Sequence, residues 1–229
     1  MPSQSSTVQD WARHHAFAVL AALGVTLATK QLVPLALVGL FSFSWYIWRH
    51  QLVETPAGPI PFQKIPANSV TTARIITVCL TGLLFPWLNS FTVGLIGLTI
   101  LIFDKVDGYL AQRYQTESKV GAYLDMETDA FFICLFSLIL YLDGYAGLWV
   151  VALGMLRYAS TVGLVLLRSQ HKKEPRVLVA RLVATLVMSA LLIPYVTPAW
   201  FYTPYLAVAV VCLIFSFAYT FSYTVLQPG

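Results

Sequence analysis

The sequence predicts an all-α, polytopic membrane protein, and three observations carry that reading. Apolar residues fill 58% of the 229 positions and charged residues only 10%, with a mean hydropathy of +0.74, whereas a soluble domain carries roughly a quarter charged residues. Six segments after residue 70 approach the about 20 apolar residues that a spanning helix needs. The basic residues fall on one side of the resulting six-helix arrangement.

The elements follow in chain order. The first ten residues are polar and lack a basic n-region, so the first apolar run is expected to persist in the mature protein. Residues 16–48 are apolar but interrupted by Lys30, Gln31 and Pro34. They are too long for one span and barely enough for two, which predicts a short hairpin with Trp45, Tyr46 and Trp48 as an interfacial anchor. Residues 49–67 hold Pro56, Gly58, Pro59, Pro61 and Pro66 with Arg49, Glu54 and Lys64, the composition of a linker on the membrane surface. The domain boundary is therefore placed there, with residues 1–67 an N-terminal apolar helical extension and 68–229 the transmembrane domain.

The six expected spans are 72–88, 90–110, 121–142, 145–167, 177–195 and 199–225. Asn89-Ser90, Asp143-Gly144 and Thr197-Pro198 supply turn chemistry between helices that reverse direction. Arg49, Lys64, Arg74, Lys105, Arg113, Lys119, Arg168, Lys172, Lys173 and Arg176 share one side, which the positive-inside rule makes cytoplasmic. Lys30 alone would face outward. The net charge of +4 thus reports topology and anionic headgroups, not nucleic-acid binding. Cys79, Cys134 and Cys212 stand alone in apolar runs and read as packing residues.

Chemistry concentrates in Asp104, Asp107, Gly108, Ala111 and Arg113, followed by Gly121, Asp125 and Asp129. Residues three or four apart share a helix face, so Asp104 pairs with Asp107 on one span and Asp125 with Asp129 on the next. A carboxylate at membrane depth costs about 2.5 to 3.5 kcal/mol on insertion scales, so four together call for compensating positive charge. Basic residues look too few and too close to helix ends to supply it, which points to a divalent cation bound through carboxylates and substrate phosphate. Gly108, Ala111 and Gly121 leave room for a ligand against the backbone.

These residues resemble the CDP-alcohol phosphotransferase (CDP-alcohol phosphatidyltransferase) family, whose signature is Asp, two residues, Asp-Gly, two residues, Ala-Arg, eight residues, Gly, three residues, Asp, three residues, Asp. Asp104, Asp107, Gly108, Ala111, Gly121, Asp125 and Asp129 match in register. The signature arginine falls on Gln112, with Arg113 adjacent but about 100° around the helix. Asn68, Thr71 and Arg74 match the opening of the family's first core helix.

The resemblance implies a six-transmembrane-helix core, often homodimeric, and transfer of a substituted phosphate from a CDP-linked donor to a hydroxyl, with release of CMP, in phospholipid biosynthesis. CDP-diacylglycerol is the implied donor, and the acceptor is a small polar alcohol that the sequence does not identify. Asp104, Asp107, Asp125 and Asp129 would hold Mg2+ or Mn2+, with Asp129 also the general base. Asn68, Thr71, Asp107, Gly108, Ala111, Gly121 and Asp125 would line the donor site, at a cytoplasm-facing cavity of a multi-pass protein in the cell membrane.

Other readings stay open: a CDP-choline or CDP-ethanolamine type aminoalcohol phosphotransferase, an Asp-rich intramembrane prenyltransferase, a cation transporter, or a family member that binds nucleotide without turnover. Arg157, deep in a span, reads equally as an acceptor-binding residue or a structural partner for an acid. The cluster Arg168, His171, Lys172, Lys173, Arg176 and Arg181 reads as positive-inside charge attracted to anionic lipid, or as acceptor capture, for which Arg181 is best placed if the acceptor carries phosphate. Glu127 is expected against a neighbouring helix or headgroups, and His14, His15 and His50 at the interface without a catalytic part.

Overall fold

The computed structural model describes residues 4–56, 58–166 and 177–226, with the side chains of 4–6, 177–181, 220, 221 and 223–226 outside the description. Within it the chain is all-α apart from one small hairpin, and it divides into two compact units, Met1–Phe132 and Ile133–Gly229.

The first unit begins with a helical hairpin, α1 (Gln4–Thr29) and α2 (Val33–Arg49). Lys30 takes a positive φ of 56° at the reversal, and Pro34 sits in the first turn of α2, where its missing N–H costs nothing. The hairpin is longer than expected because helix continues back through the polar N-terminal segment to Gln4. Trp11 ties α1 to α2: its ring lies 4.4 Å from Tyr46 and its Nε1 donates to the Ser42 carbonyl at 3.0 Å. His15 and His50 are buried against the protein.

The Pro-rich stretch expected as a plain linker folds into an antiparallel pair, β1 (Leu52–Thr55) and β2 (Gly58–Pro61). Gly58, at φ 108°, supplies the backbone conformation that the turn requires. Proline cannot donate to a ladder, which confines Pro59 and Pro61 to an edge, and a two-stranded ribbon is all edge.

Helix α3 (Pro66–Leu84) starts on Pro66, and α4 (Ser90–Arg113) is capped by Asn89, whose Oδ1 accepts from the Thr92 amide at 2.8 Å. Helix α5 (Lys119–Leu142) is capped by Ser118, which accepts from the Gly121 amide at 3.0 Å. Helix α3 packs on both α2 and α4. Gly39 of α2 lets Phe131 of α5 and Cys79 of α3 pack directly against its backbone. Tyr46 donates to the Val120 carbonyl at 2.9 Å, anchoring the start of α5 to α2.

The second unit holds the rest of α5 with α6 (Ala152–Leu166), α7 (Val177–Leu192) and α8 (Ala199–Leu226). Helix α8 packs on α6 and α7, and Gly154 brings α6 against the backbone of Cys134.

Among the described residues, three helical segments are long and apolar enough to cross a membrane: Pro66–Trp87, Leu148–Leu166 and Ala199–Tyr219. Val33–Arg49 and Leu182–Tyr195 are apolar but shorter. The six-span count is therefore not recovered by length and composition. Helix α4 carries Asp104, Lys105, Asp107 and Arg113, and α5 carries Lys119, Asp125, Glu127 and Asp129, so neither reads as an apolar span. The basic loop with Arg168, Lys172, Lys173 and Arg176 lies outside the described residues.

Candidate active site

The site lies in the first unit and is built by three helices. The buried face of α3 includes Ala67, Asn68, Thr71, Arg74, Ile75 and Val78, positions that recur at three- and four-residue spacing and so form one stripe. Helix α4 presents Asp104 and Asp107, and α5 presents Asp125 and Asp129.

All four carboxylates converge on Arg74. Its Nη1 lies 2.7 Å from Asp107 Oδ2 and 2.7 Å from Asp125 Oδ1, and its Nη2 lies 2.5 Å from Asp129 Oδ1 and 3.1 Å from Asp104 Oδ1. The arginine side chain is 1% exposed. Four acids against one guanidinium leave a formal charge of −3, so Arg74 compensates the cluster only in part. This overturns the expectation that basic residues stay near helix ends. Removing one partner from a buried ionic cluster of this kind costs about 3–5 kcal/mol, because the remaining charges lose their counter-ion.

The aspartates differ in access. Asp107 and Asp104 are 4% and 10% exposed, while Asp129 and Asp125 are 24% and 40% exposed, so the cluster opens on the α5 side. Asp107 is held most firmly. Thr71 Oγ1 lies 3.0 Å from its Oδ2, and the Gly108 amide donates to its Oδ1 at 2.8 Å. Lys105 reaches Asp104 Oδ2 at 2.8 Å from the exposed side.

Ligand oxygens of Asp104, Asp107 and Asp125 lie within 4.8 Å of one another, a spacing that can hold a metal ion. The donor set fits the metal-dependent chemistry: hard carboxylate oxygens around a site with a net negative charge suit a hard divalent cation.

The two glycines part company. Around Gly108 an added Cβ meets nothing within 4 Å, so the backbone there borders open space beside Asp107. At Gly121 a Cβ would meet Asn68 Oδ1 at 2.8 Å and Ser118 Oγ at 3.0 Å. The room that the sequence assigned to a ligand at Gly121 is taken by the buried Asn68 amide. Asn68 itself donates to the Phe62 carbonyl at 3.4 Å. Ala111 is partly exposed and Gln112 exposed on the last turns of α4. Arg113 donates to the Tyr109 hydroxyl at 2.6 Å, one turn back on the same helix.

Arg157 is half-buried on α6, in the second unit, and Arg181 belongs to α7 with its side chain outside the described residues. Glu127 is buried. A cavity of about 580 Å3 opens along α1 and α2, with Trp11, His14, Trp45 and Arg49 in its wall; none of the four aspartates lines it.

Sequence reasoning missed Arg74 as the centre of the cluster. The signal was present in the spacing of Asn68, Thr71 and Arg74, which puts the arginine on the same face as two small polar residues and off the lipid.

Comparison with known proteins adds one match. The model of the family described as CDP-alcohol phosphatidyltransferase matches residues 64–221, which include α3, α4 and α5 and all four aspartates. No curated protein and no solved structure shows a significant match to the chain.

Proposed function

Because the chain belongs to the CDP-alcohol phosphatidyltransferase family, we propose that it transfers a phosphatidyl group from CDP-diacylglycerol to a small hydroxyl acceptor, releasing CMP, as a step of phospholipid biosynthesis. The observation that carries the reading is the convergence of Asp104, Asp107, Asp125 and Asp129 from two helices on one point. Residues 68–229 form the transferase domain, acting as a homodimer in the cell membrane with the site toward the cytoplasm, and residues 1–67 are an appendage to it.

Asp104, Asp107 and Asp125 would hold Mg2+ or Mn2+, with Asp129 beside them as a further oxygen donor. The cation, when bound, offsets the charge on the donor diphosphate. The chain's own residues do the rest. Asp129, more exposed than Asp104 or Asp107, accepts the proton of the acceptor hydroxyl. The acceptor oxygen bonds to the donor's β-phosphorus as the bridging P–O bond breaks, and CMP leaves with that electron pair. Thr71, and the Gly108 amide behind Asp107, fix that carboxylate, so its orientation does not have to be found during the reaction. Open space at Gly108 admits the donor, and Asn68 holds α5 at Gly121. Arg157 and Arg181 remain candidates for the acceptor.

The test is CMP release by purified protein from CDP-diacylglycerol across a panel of polyols, phosphorylated polyols and amino alcohols, with Mg2+, Mn2+ or chelator. Cation-dependent release with at least one acceptor is expected. Release only from a CDP-aminoalcohol would move the chain to the aminoalcohol class, and cation flux across vesicles without any CMP would replace transfer by transport.

A further inference from the structure

We infer that Arg74 and the divalent cation compete for the same carboxylate oxygens, so that loading the site requires the guanidinium to release Asp107 and Asp125; this rests on the metal-dependent reading above. The disposition of donors carries it. Asp107 Oδ2 accepts from Arg74 Nη1 at 2.7 Å, and Oδ1 from the Gly108 amide at 2.8 Å. Asp104 faces Arg74 Nη2 at 3.1 Å through Oδ1 and Lys105 Nζ at 2.8 Å through Oδ2. Asp125 offers Oδ1 to Arg74 Nη1 at 2.7 Å. Both oxygens of Asp104 and both of Asp107 therefore already face a donor.

A cation bound through those three aspartates would sit directly against a guanidinium that is 1% exposed. The guanidinium itself meets almost no water, so the two like charges are screened less than at an open surface. The arginine-bridged and cation-loaded states exclude one another. Arg74 Nη2 lies 2.5 Å from Asp129, outside the triad, and 3.1 Å from Asp104 within it, and its Nε has no hydrogen-bond partner among the described residues, so the guanidinium can keep Asp129 while giving up Asp107 and Asp125. By this competition Arg74, which offsets the charge of the four acids in part, sets the cation concentration at which the site is loaded.

The experiment titrates Mn2+, without substrate, into the full-length protein in detergent, following free Mn2+ by electron paramagnetic resonance. Arg74→Met removes the competitor and is expected to tighten Mn2+ binding by about tenfold or more, the equivalent of losing one charge-assisted bond to the guanidinium. Arg74→Lys keeps the charge and stays closer to wild type. Equal or weaker binding by folded Arg74→Met overturns the inference, because Arg74 would then serve as a scaffold for the ligands. Should that variant not fold, the wild-type protein decides. A structure with Mn2+ at the triad should show Nη1 beyond bonding distance of Asp107 and Asp125, and a bound ion with both contacts intact overturns the claim. Tightening without CMP release would sink the transferase reading alone. Release without tightening would sink this inference alone.

Discussion

Two glycines on adjacent helices should respond to alanine in opposite ways. Gly108 borders open space, so Gly108→Ala gains helix propensity, about 0.8–1.0 kcal/mol, with no steric cost. Gly121→Ala pushes a methyl group to 2.8 Å from Asn68 Oδ1 and 3.0 Å from Ser118 Oγ. Overpacking of that kind costs about 1–3 kcal/mol, more than the same propensity gain returns. For a chain of this size each kcal/mol moves the melting temperature by about 2–4 °C. Gly108→Ala should therefore melt about 2–4 °C above wild type, and Gly121→Ala several degrees below it, in a detergent thermostability assay followed by size exclusion. Activity should run the other way for Gly108, because the added methyl group narrows the space assigned to the donor, and CMP release should fall although the protein is more stable. A Gly108→Ala variant that melts below wild type would refute the open-space reading. One that is stabilised and fully active would refute the assignment of that space to the donor.

Thr71→Val keeps the shape of the side chain but deletes a hydroxyl 3.0 Å from Asp107 Oδ2; losing about 1.5 kcal/mol of orientation should slow CMP release about tenfold, with Thr71→Ser near wild type. Tyr46→Phe deletes the 2.9 Å bond to the Val120 carbonyl, which keeps its helical donor within α5, so the protein should lose about 0.5–1.5 kcal/mol of stability in thermal denaturation. Burial lowers the pKa of His50 below its usual value, with nearby Arg49 adding to the effect and the bond to the Tyr46 carbonyl opposing it. The folded protein thus favours neutral imidazole. Its stabilising contribution is complete above the unfolded pKa of about 6.5 and is lost as pH falls toward the lower folded value. The melting temperature should drop as pH falls below about 6.5, and His50→Gln should flatten that slope; an unchanged slope would rule out His50 as its source.

The acidic pairs were legible because helix geometry alone places residues three and four apart on one face, and the structure brings Asp104, Asp107, Asp125 and Asp129 together as that spacing implies. Local pattern could not show what fills the centre. Arg74 reads in sequence as one more cytoplasmic cation, and only the packing of α3 against α4 turns it into the counter-ion of four acids. Gly121 was misread for a related reason: the neighbour that needs its missing side chain, Asn68, lies more than fifty residues earlier and on another helix. The hairpin at Leu52–Thr55 and Gly58–Pro61 was hidden by its prolines, which argue against a central strand but are tolerated in a ribbon with no interior. The expected spans at 90–110 and 121–142 were not recovered because of charge: Asp104, Lys105 and Asp107 on α4 and Asp125, Glu127 and Asp129 on α5 keep both helices outside the three segments that are long and apolar enough to cross a membrane.

The central claim is that the acidic faces of α4 and α5 make one metal-dependent phosphotransfer site with Asp129 as its base. The most direct measurement is the rate of CMP release from CDP-diacylglycerol by Asp129→Asn beside wild type, at saturating Mn2+ and with an acceptor that supports turnover. The account predicts a loss of about 100- to 10,000-fold in a variant that remains folded, the range expected for removing a general base. Release at the wild-type rate by folded Asp129→Asn would contradict it.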